Sequence, residues 1–356
     1  MKKLAIPFLC TLFLLCGCSH PSSAPAPTTE GTLLDRMSTE EKVGQLFFVR
    51  CPEPQFIDSV LERQPAGLVL FKRDFSEKTK SQIQQTVEGY QKKSKSPLLI
   101  GVDEEGGSVV RASSNPDLRP QKFPSPQQLF RAGGMEAIRK DTLEKSDLLM
   151  ELGVNMNLAP VADVSTAPED FIYTRSFGQP ASETAAYVAL VTRTMKEKGI
   201  ASCLKHFPGY GSNTDTHTGI AVDERPYETF ISSDFLPFLS GIEAGADAIL
   251  VSHNIVTCMD ADLPASLSKP VHDILRNELH FTGLIITDDL AMKALEAYEQ
   301  PYVKAVLAGN DLLIVSDFDT AYEQVLSAVK TGLIPMQTLD AAAARTLEWK
   351  QAHLKQ

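Results

Sequence analysis

The chain has 356 residues, 43% hydrophobic and 22% charged, which is globular composition and enough chain to bury a large core. With 34 Lys and Arg against 45 Asp and Glu the net charge is -11, which argues against a nucleic-acid partner, because phosphates would be repelled. The one basic run, Lys92-Lys93-Ser94-Lys95, is short and ends an expected helix.

The N-terminus reads as an address. Lys2-Lys3 precedes an apolar stretch, 4–15, that is too short to span a bilayer as a stable helix. Leu15-Cys16-Gly17-Cys18 resembles the bacterial lipobox, which implies a signal peptide over 1–17 and lipidation of Cys18. The expected result is an exported protein held to the membrane by a lipid anchor, several acyl chains giving stable attachment where one would not. Ser19 after the Cys implies outer-membrane sorting in a Gram-negative cell. Residues 18–32 are rich in Ser, Pro, Ala and Thr without apolar periodicity and read as a flexible tether. Cys51, Cys203 and Cys258 remain in the mature chain, odd in number and far apart, so no disulfide framework is expected.

From residue 33 onward a single domain is expected. Residues 33–42 look helical, with Ser38 and Glu41 spaced as a capping box. Short apolar runs at 43–49, 66–71, 97–102, 156–162, 201–204, 248–252, 283–287 and 311–315 give eight candidate strands. Helical patterns at 77–93, 135–152, 182–198, 228–244, 269–279, 302–308, 319–330 and 340–354 fall between and after them. Strands alternating with helices imply parallel βαβ units, and eight of them imply a single (β/α)8 barrel of the TIM type. Polar residues stand where that fold places an active site: Asp103, Asp163, Lys205-His206, His253-Asn254 and Asp288-Asp289 follow five successive apolar runs.

The stretch 204–217, L-K-H-F-P-G-Y-G-S-N-T-D-T-H, concentrates this chemistry. A strand end delivers Lys205 and His206, and Pro208, Gly209 and Gly211 then break regular structure before Asp215 and His217. An acid beside an imidazole suits general acid/base work. A zinc site from His206, Asp215, His217 and His253 is the rival, but no metal-ligand spacing supports it and no metal is expected. The dinucleotide fingerprint, the phosphate-loop lysine and the G-x-S-x-G elbow are all missing. Between Asp288 and Asp289 spacing alone divides evenly: either a site carboxylate, or caps for the following segment.

These motifs together resemble family 3 glycoside hydrolases of the β-N-acetylglucosaminidase branch, over residues 38–354. K-H-F-P-G-x-G followed by D-[ST]-H carries the resemblance most specifically, and it implies His217 as acid/base with Asp215 as its partner. The segment 283–292, G-L-I-I-T-D-D-L-A-M, implies Asp288 as nucleophile. D-x-E-G-G-x-V-x-R at 103–111 and R-S-F-G at 175–178 imply that Asp103, Arg111 and Arg175, with Lys205 and His206, hold the terminal sugar's hydroxyls. The resemblance implies a retaining exo-β-N-acetylglucosaminidase without cofactor, expected as a monomer, acting on a carbohydrate. With the lipoprotein address, that carbohydrate is expected to be N-acetylglucosamine-containing peptidoglycan fragments. A phosphorylase, a β-glucosidase of the same family and an inactive carbohydrate-binding lipoprotein are the alternatives. Two departures from the family pattern stand out. Glu104 replaces the usual Gln and is expected to add an acid near the sugar, and Tyr210 replaces the usual His and is expected on the loop that carries the dyad.

Overall fold

A computed structural model describes residues 33–212, 219 and 221–354. The expected signal peptide, Cys18 and the tether lie outside the described residues, as do Asp215 and His217.

Eight parallel strands form the sheet: β1 (Phe47–Arg50), β2 (Gly67–Leu70), β3 (Leu99–Val102), β4 (Met156–Asn157), β5 (Ala201–Phe207), β6 (Ala248–Val251), β7 (Leu284–Thr287) and β8 (Leu313–Val315). Their order around the sheet is β8-β1-β2-β3-β4-β5-β6-β7. A parallel bridge between Ile286 and Leu312 joins β7 to the start of β8, and Leu290 N–H donates to the Ile314 carbonyl at 3.0 Å. The ring is thereby closed, as the eight apolar runs led one to expect.

Successive side chains on a strand point to opposite faces, and the two faces here have different partners. Phe48, Val69, Leu99, Met156, Cys203, Leu250, Ile286 and Ile314 fill the barrel interior. Phe47, Val49, Leu70, Ile100, Val102, Leu204, Ile249 and Val315 pack outward with the helix faces. Both faces are buried, which is why these strands read as continuous apolar runs. Gly101 is required at its position, since a Cβ there would lie 2.4 Å from the Phe48 ring.

Several expected boundaries shift for local reasons. Ser38 is an N-cap with extended backbone, and it exchanges hydrogen bonds with Glu41 at 3.0 and 3.2 Å. A helix cannot run through such a residue, so the expected helix 33–42 divides into a 3-10 turn (Leu34–Arg36) and a helix (Thr39–Gly44). Val43 and Gly44 therefore end a helix instead of opening β1. The expected helix 135–152 begins nine residues earlier, at Pro126, because Ser125 and Gln128 form a second capping box. It is kinked at Gly133 and Gly134, which hid the early part. A short helix, Ile57–Glu62, was not anticipated. The expected helix 228–244 contains a π segment (Phe230–Asp234), which turns Asp234 toward Arg225.

The last helix, Met336–His353, closes the N-terminal end of the barrel. Trp349 joins the interior cluster and its indole N–H donates to Asp247 at 3.2 Å, just before β6. Lys350 donates to Gln45 at 2.9 Å, just before β1, and Arg345 pairs with Asp311 at 2.5 Å, just before β8. Cys51, Cys203 and Cys258 are free thiols.

Candidate active site

At the C-terminal end of the barrel the strand parity that fills the interior continues into polar residues. Asp103 follows Gly101, Lys205 follows Cys203 and Asp288 follows Ile286, each two residues on and so directed into the mouth. β5 extends to Phe207, three residues beyond the expected strand, so Lys205 and His206 lie within it. The register against β6 shifts between Lys205 and Phe207, and the Lys205-His206 peptide is cis.

The mouth's charges are joined in a chain. The Lys205 ammonium lies 2.6 Å from Asp103 Oδ1 and 2.6 Å from Glu105 Oε1. Arg175 grips Glu105 through Nε at 3.1 Å and Nη2 at 2.8 Å. Its Nη2 also lies 3.1 Å from His206 Nε2. Since a guanidinium only donates, Nε2 must accept, which leaves Nδ1–H to donate to Asp163 at 2.8 Å. Arg111 stands 3.6 Å from Asp103 Oδ2. Thus Asp103, Arg111, Arg175, Lys205 and His206, expected as one binding set, are brought together.

The electrostatics follow from the pairing. Burial opposes ionisation of Glu105, but Arg175 and Lys205 outweigh it and hold the carboxyl far below the usual carboxylate range. Burial likewise opposes the charge on Lys205, yet Asp103 and Glu105 push its pKa up. For Arg175 the same contest ends with Glu105 raising it. These groups are charged throughout the ordinary pH range and present fixed N–H donors and carboxylate acceptors to a polyhydroxylated ligand.

Two residues that complete this arrangement had been given no role of their own, although Asp163 was expected at a strand end facing the site. Glu105 links Arg175 to Lys205, and Asp163 receives the His206 backbone N–H at 3.0 Å, its ring and the Tyr210 N–H at 2.8 Å. The signal for Glu105 was the Gly106-Gly107 pair, whose positive φ values of 105° and 67° turn the chain back beside the strand end. The signal for Asp163 was its place after the fourth apolar run.

Both departures are buried beneath the mouth. Glu104 is fully buried. One carboxylate oxygen accepts the N–H groups of Arg111 and Ala112 at 2.7 and 2.8 Å; the other accepts from Ser113 N–H and hydroxyl. It therefore fixes the backbone beneath Arg111 instead of lining the mouth. Tyr210 is buried too, with its ring edge-on to His206 at 5.2 Å and near Phe171 at 5.7 Å. It packs under the mouth, at the base of the loop that leads on toward the dyad.

Asp288 and Asp289 are separated by their geometry. Asp289 accepts the Ala291 N–H at 3.0 Å and the Ser316 hydroxyl at 2.9 Å, so it is the carboxylate that caps the turn. Asp288 keeps the inward parity of β7, with one oxygen accepting the Asp289 N–H at 2.8 Å. His253, considered above as a metal ligand, is engaged by Ser266 at 2.7 Å and the Asp289 carbonyl at 3.0 Å. Among the described residues no group of three His, Cys, Asp or Glu converges to hold a metal.

The loop that leads toward Asp215 and His217 starts from a braced base. A Cβ on Gly209 would lie 2.5 Å from Asp234, and one on Gly211 would lie 2.5 Å from Arg225. Arg225 is forked onto Asp223 at 2.7 to 3.0 Å and onto Asp234 at 3.0 and 3.1 Å.

A closed parallel barrel with a charged, hydroxyl-seeking cluster at its C-terminal end defines a barrel enzyme of the TIM type. Residues 38–349 match the N-terminal domain of glycosyl hydrolase family 3, so the chain belongs to that family and is a glycoside hydrolase. It is 31% identical over 294 residues to a "Beta-hexosaminidase" of Glaesserella parasuis serovar 5, covering 80% of this chain and 84% of that protein. It is 32% identical over 288 residues to a "Beta-hexosaminidase" of Hydrogenovibrio crunogenus, covering 78% and 79%. Among solved structures it superposes on a family 3 β-N-acetylglucosaminidase from Paenibacillus sp. with a TM-score of 0.83 at 29% identity, over 89% of this chain. The chain spans 63% of that larger protein. It also matches a β-N-acetylhexosaminidase from Beutenbergia cavernae, with a TM-score of 0.79 at 26% identity, over 88% of this chain and 99% of the other.

Proposed function

We propose that the protein is a retaining exo-β-N-acetylglucosaminidase that releases terminal N-acetylglucosamine from peptidoglycan fragments. The observation that carries this reading is the linked cluster of Asp103, Glu105, Arg175, Lys205 and His206 facing Asp288 across one barrel mouth. The cluster suits the hydroxyls of one terminal sugar, and Asp288 then stands toward its anomeric carbon. In the first step an Asp288 oxygen forms a bond to that carbon as the glycosidic C–O bond breaks, and the His217 imidazolium gives its proton to the departing oxygen. In the second, His217 takes a proton from water, whose oxygen displaces Asp288 and frees the sugar with retained configuration. Asp215 orients His217 and favours its protonated form. In the same reading Cys18 carries acyl chains that hold a monomeric enzyme to the cell envelope; the Leu15–Cys18 motif supports this.

Initial rates on aryl β-N-acetylglucosaminide and aryl β-glucoside, with and without phosphate, test the reaction. Turnover of the first alone in plain buffer supports the hydrolase. Strong acceleration by phosphate, with a sugar phosphate as product, makes it a phosphorylase. Asp288→Ala is expected to lose at least about three orders of magnitude in kcat while keeping its Tm, as loss of a covalent nucleophile demands. A near wild-type rate would remove Asp288 from the mechanism. Labelling with a radioactive fatty acid, in wild type and Cys18→Ser, tests the anchor.

A further inference from the structure

The inner ring of the mouth holds a cation that this mechanism does not use. On β1, Phe48 faces the interior while Phe47 and Val49 face the helices, so Arg50 faces the mouth. Its guanidinium carbon lies 4.1 Å from the centroid of the Phe71 ring, which itself packs on the interior cluster at the end of β2. Arg111 approaches the same ring at 5.6 Å. The two arginines differ in their other partners. Arg111 stands beside Asp103, whereas Arg50 is exposed and, among the described residues, has no carboxylate in ion-pair range.

Its place in the ring is as telling as its lack of an acid. In an eight-membered ring β1 lies opposite β5, the strand of Lys205 and His206, and is separated from Asp288 on β7 only by β8. With the terminal sugar's hydroxyls toward β3 and β5 and its anomeric carbon toward β7, the leaving group emerges over the arc of β8 and β1. Stacking on Phe71 pins the guanidinium plane and leaves its N–H edge for a planar, doubly accepting anion. In a chain of net charge -11, an unpaired cation at that point attracts a ligand that the rest of the surface repels.

We propose that Arg50, supported by Phe71, recognises a carboxylate on the leaving group. This inference rests on the reading above, in which the leaving sugar is N-acetylmuramic acid, whose ether-linked side chain ends in a carboxylate.

The test uses two disaccharides that differ only in that carboxylate, free in one and converted to the amide in the other. For each, kcat/KM is measured with wild type, Arg50→Ala and Arg50→Glu. Wild type is expected to prefer the free acid roughly two- to fivefold, the range of an exposed charge-assisted pair. Arg50→Ala abolishes the preference, and Arg50→Glu, which must be folded to act at all, reverses it. Equal rates on both disaccharides with wild type, or an unchanged preference in Arg50→Ala, overturn the role of Arg50 and leave the substrate reading standing. Turnover of the aryl N-acetylglucosaminide with neither disaccharide cleaved overturns the substrate reading, and the role of Arg50 with it.

Discussion

Two lysines, one at each end of the barrel, are equally buried at 2% exposure and respond in opposite directions. At the mouth, burial would strip Lys205 of its proton, but Asp103 and Glu105 at 2.6 Å more than compensate and raise its pKa. At the floor, the Lys350 ammonium has, among the described residues, the amide oxygen of Gln45 and no acid, and burial pulls its pKa down to about 7. The residue type and the burial are the same; the acids are what differ. The mouth keeps its charges by pairing them and so can bind a polar sugar. The floor is held by the packing of Trp349 and by edge pairs such as Arg276 and Arg345 on Asp311.

The comparison can be broken most severely at Glu105. Glu105→Gln keeps the shape but leaves Arg175 and Lys205 short of one buried negative charge. A loss of about 3–5 kcal/mol in stability is expected, as for one partner of a buried ion pair, together with a large fall in kcat/KM. Denaturant melts and aryl glycoside kinetics check both; an unchanged KM would mean that the cluster does not hold the sugar. At the floor, Trp349→Ala should cost about 3 kcal/mol through the cavity it leaves, with kcat unchanged in the folded protein. A fall in kcat matching the fall in stability would show the two ends to be coupled.

A pH effect at the same floor sharpens the contrast. The folded pKa of Lys350 lies below its unfolded value near 10.5, so its favourable contribution is complete above that value and is lost as pH falls toward 7. Wild type should gain stability between pH 7 and 9.5 relative to Lys350→Met, in which that part of the slope is absent. Tm measured at the two pH values for both proteins decides it; parallel slopes would mean that Lys350 stays charged in the fold.

The eight strands were legible because both of their faces are buried, which leaves apolar runs too dense to be mistaken for loops. Asp103, Lys205 and His206 were legible because they end such runs, whereas Arg111 and Arg175 were marked only by the motifs around them. Less could be read where the outcome depended on a partner distant in sequence. Nothing near Glu104 announces that three backbone N–H groups some eight residues later will consume its carboxylate. Tyr210 follows two residues that break regular structure and so read as loop, but Val161 and Ile172 supply the apolar wall that buries it. The division of labour between Asp288 and Asp289 needed Ser316, on the turn after β8, to claim one of the two carboxylates. The π segment that aims Asp234 at Arg225 has no sequence mark at all, and burial there pushes the Asp234 carboxyl up to about 6 against the pull of Arg225.

The ring is sealed by its last strand meeting its first. Leu313 N–H donates to the Leu46 carbonyl at 2.8 Å, and Lys350 reaches Gln45 across 305 residues of sequence. No growing portion of the chain can therefore finish the barrel, since β1 keeps an open edge until β8 arrives. Ordering so long a loop is an entropic cost met only at the end, and folding is correspondingly slow and exposed to wrong pairings. A chain that emerges N-terminus first, from a ribosome or through a membrane pore, carries that unpaired edge for most of its passage and becomes an enzyme only when its final helix is free to turn back.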